Sequence, residues 1–409
     1  MFSRSSLLAT LTLALAVAAN PIIQIRDGPV TLPLAKRFNL TGPISLLERD
    51  QKHAQGLKLR GNAKVQGRAV GSVTATNQLV DYVVNVGVGT PATTYSLLVD
   101  TGSSNTWVGA GKAFVHSSTT AQTSDRVSVT YGSGDFSGNE FTDTVTLGGG
   151  LTVTKQSFGV ATSSDGFDGV DGIIGIGPVD LTTGTLSPDT RNTIPTITDN
   201  LFTQGVIPQN LVAVSFRPTT SDNNANGELT FGGTDSSKFT GSISFAPLTR
   251  TSPASEFWGI DQTIRYGAST SILSSTAGIV DTGTTLTLIS SDAFTRYQRA
   301  TGAVADRNTG LLRLTTAQFA NLQSLFFTIN GQTFELTANA QIWPRNLNAD
   351  IGGTAGNVYL IVNSIGTPTG EGLDFINGLT FLERFYSVFD TTNKRVGLAT
   401  TPFTTATSN

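Results

Sequence analysis

The chain has 409 residues, of which only 13% are charged, a formal net charge of −3, two histidines and no cysteine. Without a basic excess there is no electrostatic footprint for nucleic acid. Without cysteine there is no thiol nucleophile or thiolate zinc site, and two histidines are too few for a histidine-built metal centre, so no cofactor and no metal are expected.

Glycine, serine, threonine and β-branched residues dominate, a composition that predicts an all-β fold with tight turns and few short helices. In chain order, residues 1–19 place Arg4 ahead of the apolar run Leu7–Ala18, which ends in small residues. That layout reads as a secretory signal peptide and is too short for a spanning helix. No later stretch is long and apolar enough to cross a bilayer, so a soluble, secreted, extracellular product with no membrane partner is expected.

Residues 20–68 carry nine basic against three acidic side chains, whereas residues 69–409 carry 16 against 26. A basic leader ahead of an acidic body suggests a propeptide held partly by charge; a solvated tail is the plainer alternative. Arg68–Ala69 is the expected processing point, with Lys36–Arg37 a second one inside the leader. As pH falls, body carboxylates protonate and the leader's attraction weakens.

Strand patterns begin at Tyr82–Val88, turn at Thr90–Pro91 and resume at Ser96–Val99, leading into Asp100. Helices are predicted over Ser291–Ala300 and Thr315–Leu325, and Asn330–Gly331 marks a tight hairpin within Leu325–Thr337.

An internal repeat carries the chemistry. Leu97-Leu-Val-Asp-Thr-Gly-Ser-Ser104 returns as Gly278-Ile-Val-Asp-Thr-Gly-Thr-Thr285. A buried strand would fix each carboxylate, the glycine would permit a tight turn, and the hydroxyl residue after it could hold the carboxylate plane. One copy alone is an ordinary turn. Two matched copies suggest two related lobes, each delivering one acid. Carboxylates brought together share one proton, and the two apparent pKa values belong to the pair. One activates a water as base while its protonated partner polarises a carbonyl, without metal, thiol or imidazole.

Asp100-Thr-Gly-Ser-Ser-Asn-Thr-Trp107 with Asp281-Thr-Gly-Thr-Thr285 resembles the pepsin family of aspartic proteases, over about residues 75–400. Tyr131-Gly-Ser-Gly134 is similar to that family's flap, and Asp171–Gly177 and Phe375–Phe381 are similar to the segments closing each active-site loop. The resemblance implies a bilobal fold with a central cleft and a flap hairpin. The N-terminal lobe would span 69–240 and the C-terminal lobe 241–409. It implies Asp100 and Asp281 as the catalytic pair, with Thr101 and Thr282 gripping between loops and Gly102 and Gly283 giving access. Ser103 and Thr284 would support the outer carboxylate oxygens. Tyr131, Gly132 and Ser133 would cover a bound peptide, the Tyr131 hydroxyl meeting the Trp107 indole. Ile173, with Leu98, would line an apolar wall. The implied activity is endopeptidase action at acid pH near apolar residues by a monomer, with its own propeptide as intramolecular inhibitor. Lys58 and Lys64 are the expected leader cations against the dyad. Two departures stand out: Asn377 where the family usually has an aliphatic residue, and Leu379 where aspartate is common.

Three other readings compete. A non-catalytic binding protein would have lost an acid or distorted a loop. A glycosidase would hold its carboxylates at least about 5 Å apart without paired glycine turns. A Ser-His-Asp hydrolase would have to use His116–Ser117, but the chain lacks G-x-S-x-G.

Overall fold

The computed structural model describes residues 28–39, 45–66, 79–132, 134–221 and 225–409. Residues 1–19, Arg68–Ala69 and Ser133 lie outside them, so the expectations placed there have no structural counterpart.

The molecule is two-lobed and built mainly of strands, as expected. A 14-stranded sheet runs through the first half and takes in strands from the far end of the chain, while the second half builds a seven-stranded sheet of its own. Each half repeats one arrangement. In the first, Thr93–Asp100 runs parallel to Gly172–Gly175, with Asp100 opposite Gly175, and Trp107–Val108 lies antiparallel on the other side. In the second, Thr270–Val280 runs parallel to Phe375–Asn377, with Val280 opposite Asn377, and Thr287–Ile289 lies antiparallel beyond. Strands covered on both faces need apolar side chains throughout. This is why Leu97-Leu-Val99 and Ile279-Val280 precede the two aspartates without polar alternation, and all five are buried.

The flap is the hairpin of Ala121–Tyr131 and Gly134–Gly148, with Tyr131 opposite Gly134 at its tip. The helix Ser291–Thr301 and the hairpin around Asn330–Gly331 form where the sequence places them. The helix expected over Thr315–Leu325 is a single turn, Thr316–Phe319. Thr315 and Gln318 close a capping box there, but the chain must be extended by Leu325 to pair with both Tyr266 and Leu336. Sheet pairing overrides local helix preference.

The leader is folded onto the body. Its strand Val30–Asn39 pairs through Val30–Leu34 with Gly227–Phe231 and through Ala35–Asn39 with Leu79–Val83. Its helix Leu46–Gln66 follows, burying Leu46, Ala54 and Leu57. Buried ion pairs join leader to body at Lys36–Glu383 and at His53–Asp281.

Candidate active site

The two Asp-Thr-Gly turns meet between the halves. Thr101 N–H donates to Thr282 Oγ1 at 3.0 Å, and Thr282 N–H donates to Thr101 Oγ1 at 2.9 Å. Each hydroxyl donates onward to the opposite strand, Thr282 to Val99 O at 2.9 Å and Thr101 to Val280 O at 3.4 Å. All groups are buried, so the bonds work in a low dielectric and fix one loop against the other.

This grip brings Asp100 and Asp281 together, at 1% and 0% exposure. Each inner oxygen accepts the N–H of the turn glycine: Gly102 to Asp100 Oδ1 at 2.8 Å, Gly283 to Asp281 Oδ1 at 3.2 Å. Each outer oxygen accepts a hydroxyl, from Ser103 on Asp100 and from Thr284 on Asp281 at 2.7 Å. The glycines are required by space: a Cβ on Gly102 would lie 2.7 Å from Asp281 Oδ1, and one on Gly283 would lie 2.6 Å from Asp100 Oδ1.

Burial, and then the charge of Asp281, raises Asp100 above the ordinary carboxylate value. Burial acts on Asp281 in the same sense. It is outweighed by the hydrogen bond and charge of His53, together with the donors Thr284 and Gly283, and Asp281 is held below its ordinary 3.8. One carboxyl is thus biased towards the proton and the other towards the charge.

His53 was not anticipated. Its Nε2 lies 3.1 Å from Asp281 Oδ2, and that nitrogen and one oxygen of each aspartate lie within 4.8 Å of one another. The trio has donor types a divalent ion would accept, yet His53 and Asp281 are already bonded to each other and both carboxylates keep their loop donors. Of the expected lysines, Lys58 instead reaches Thr367 and faces Asp374 and Glu371, and the side chain of Lys64 lies outside the described part. On the helix, Arg49, His53, Gly56 and Arg60 follow at intervals of four, three and four residues and so share one face. Arg49 bonds Asp50 and Thr285, and Asp50 accepts Leu286 N–H at 2.6 Å. Gly56 packs backbone to backbone on flap Gly132, and Arg60 lies 5.3 Å above the Tyr131 ring. No single residue in the sequence announces this; the helical spacing of three cations and a glycine is the readable trace.

Behind the flap, Trp107 Nε1 donates to Tyr131 Oη at 3.0 Å. Phe167, which sequence reasoning missed, meets Tyr131 and Trp107 edge-on at 5.3 and 4.9 Å. Leu98 and Ile173 belong to the same apolar cluster. Asn377 finds its partner in Gln262: Nδ2 donates to Gln262 Oε1 at 2.8 Å and Oδ1 accepts from Gln262 Nε2 at 3.2 Å. Its carbonyl accepts Asp281 N–H at 3.2 Å, so the amide pair sits directly beneath the second aspartate loop. Leu379 opens a short buried helix and donates its N–H to Thr284 O at 2.7 Å. His116 packs edge-on against Phe114 and Phe141, while Ser117 donates to Asp143 rather than to an imidazole.

Two aspartates delivered by mirrored turns at the junction of two lobes define an aspartic endopeptidase of the pepsin type. Residues 81–401 match the family of eukaryotic aspartyl proteases, and the chain belongs to it. Among its relatives, polyporopepsin from Irpex lacteus is 78% identical over 341 residues, covering 83% of this chain and all of the relative. Pepsin-3 from Oryctolagus cuniculus is 30% identical, covering 92% of this chain and 95% of the relative. The crystal structure of the Irpex lacteus aspartic proteinase superposes with a TM-score of 0.80, covering 83% of this chain and 99% of that one.

Proposed function

We propose that this chain is the secreted precursor of an endopeptidase that works in acid, with Asp100 and Asp281 as its catalytic pair and residues 20–68 as its inhibitor. The reading rests on one observation above all: the reciprocal threonine bonds that hold the two buried carboxylates together at the lobe junction.

In the freed site the pair holds one proton. The ionised member takes a proton from a water between them, and that water attacks the peptide carbonyl. The protonated member donates to the carbonyl oxygen as the tetrahedral intermediate forms. Collapse of the intermediate breaks the C–N bond, and the amine leaves with a proton from the pair. Ser103 and Thr284 keep each carboxyl plane turned inwards, while Gly102 and Gly283 leave room for water and substrate. Tyr131, Gly132 and Ser133 close over an extended peptide, with Trp107 anchoring the tyrosine. Tyr131, Leu98, Ile173 and Phe167 favour apolar side chains near the scissile bond. Both acids come from one chain, so a monomer suffices.

The leader blocks this site with its helix, whose His53 reaches Asp281, and its strand ties that helix to the body by pairing with Gly227–Phe231 and Leu79–Val83. Acid releases it by protonating the carboxylates that hold its cations. Residues 1–19 route the chain for export.

The Asp281→Asn variant tests the assignment. It is expected to fold, to bind a statine-type peptide more weakly and to lose hydrolysis of a peptide library at acid pH. Activity like that of the unaltered chain would refute it. Conversion that proceeds equally at pH 3 and pH 7 would refute release by acid.

A further inference from the structure

We propose that His53 makes the leader's hold on the aspartate pair a two-sided pH gate, firm in a mildly acidic window and loosened both in stronger acid and towards alkaline pH. The inference rests on the reading of the leader as inhibitor.

His53 is buried where the helix crosses the two aspartate loops. The groups that face it can be counted by element. The loops present Asp281 and, more distantly, Asp100. The flap presents the backbone of Gly132 against the His53 main chain, and its Tyr131 carries Arg60 above the ring. The helix itself contributes Arg60, two turns on, and the Arg49–Asp50 pair, which is engaged with Thr285 and Leu286 one turn back. Among the described residues, the charges acting on His53 are therefore two carboxylates, which titrate, and the guanidinium of Arg60, which stays charged.

A lysine in this place would stay cationic far beyond neutrality, so only protonation of the aspartates could break its contact. An imidazole titrates near 6.5 and adds a second edge. On the acid side, Asp281 is held below its ordinary 3.8 in the closed state. The contact is present above that ordinary value and is lost as pH falls through the depressed one. On the alkaline side, burial pulls His53 down, but the hydrogen bond and charge of Asp281, followed by the charge of Asp100, outweigh it and raise the imidazole above 6.5. The contribution is complete below 6.5 and is lost as pH climbs through the raised value. Between those two values the opening equilibrium of the helix grows with pH, by no more than about tenfold per unit. Two further observations suit a contact built to let go: His53 Nδ1 and Arg60 Nε and Nη2 are buried without hydrogen-bond partners among the described residues. Groups left so are better satisfied once the helix leaves and water enters.

Pulsed hydrogen exchange of residues 45–66 in the full chain tests the gate, read by mass spectrometry from about pH 2 to about pH 9 and corrected for the intrinsic pH dependence of exchange. In the unaltered chain, protection should be greatest between about pH 4 and about pH 6.5, fall below that window as Asp281 protonates, and fall above it by up to about tenfold per pH unit. His53→Lys should stay protected to pH 9. His53→Gln, which keeps a donor but cannot titrate, should be less protected throughout and show no alkaline fall. An alkaline fall that survives in both variants overturns the proposal. Protection that is flat above pH 5 in the unaltered chain overturns the gate while leaving the leader as inhibitor. No protection at any pH, with a statine-type peptide binding the full chain freely, defeats the inhibitor reading itself.

Discussion

Glu140 gives the sharpest quantitative test of how this fold depends on pH. It lies on the flap strand Gly134–Gly148, 1% exposed. One carboxyl oxygen accepts the Ser157 hydroxyl at 2.6 Å and the other is buried without a partner among the described residues. Burial, with a smaller push from Asp125, outweighs the Ser157 bond and lifts the group from its ordinary 4.5 to about 7. A carboxyl whose folded value is raised binds its proton more tightly in the native state. The stability it contributes is therefore complete below about 4.5 and disappears as pH rises through about 7. At about 1.4 kcal/mol per pH unit, the ionised form costs the fold about 3 kcal/mol, most of it lost between pH 5 and pH 8. Glu140→Gln keeps an acceptor for Ser157 and cannot ionise. Thermal unfolding of both chains from pH 5 to 8 should show the unaltered protein losing that increment, with the variant nearly spared it. If the two chains decline in parallel, Glu140 carries no such charge penalty and the burial argument fails.

Two further substitutions probe the leader and the second loop. Gly56→Ala drives a methyl into the backbone of Gly132, and overpacking of about 1–3 kcal/mol should open the leader roughly 5- to 150-fold more often. Its conversion rate in acid should rise, while the product, having shed residue 56, should be as active as that of the unaltered chain; an unchanged conversion rate would show that the helix does not restrain the flap. Asn377→Leu strands the buried Gln262 amide, at about 1–3 kcal/mol of stability. Adding Gln262→Leu should return most of it in urea unfolding, and additive losses in the double variant would mean the two amides do not act as a pair.

The repeat that carries Asp100 and Asp281 was readable because its constraints are local: an apolar strand, an acid, a small hydroxyl residue, a glycine. The same holds for the hairpin at Asn330–Gly331 and for the helix at Ser291. What the sequence left open depends on register between distant segments. Which leader cation meets the aspartates is set by how a 21-residue helix lies across two loops. The family resemblance therefore pointed to lysines, whereas the geometry selects His53. Asn377 is an anomaly until Gln262, 115 positions earlier, is placed opposite it. Phe167 is an unmarked loop aromatic until the flap folds back over it. The helix at Thr315 was overread because its periodicity continues past the point where Leu325 must join a sheet.

The leader strand has a consequence for maturation. Val30–Asn39 lies between two strands of the body and satisfies five residues of each. In the proposed maturation, excising it would do more than unblock a cleft: it would leave Gly227–Phe231 without the strand half Val30–Leu34 and Leu79–Val83 without the half Ala35–Asn39. Bare strand edges of this kind invite another strand to bond to them. On that proposal the cut chain would have to pair those edges with other residues or carry an adhesive seam, and becoming active would also be a small act of refolding.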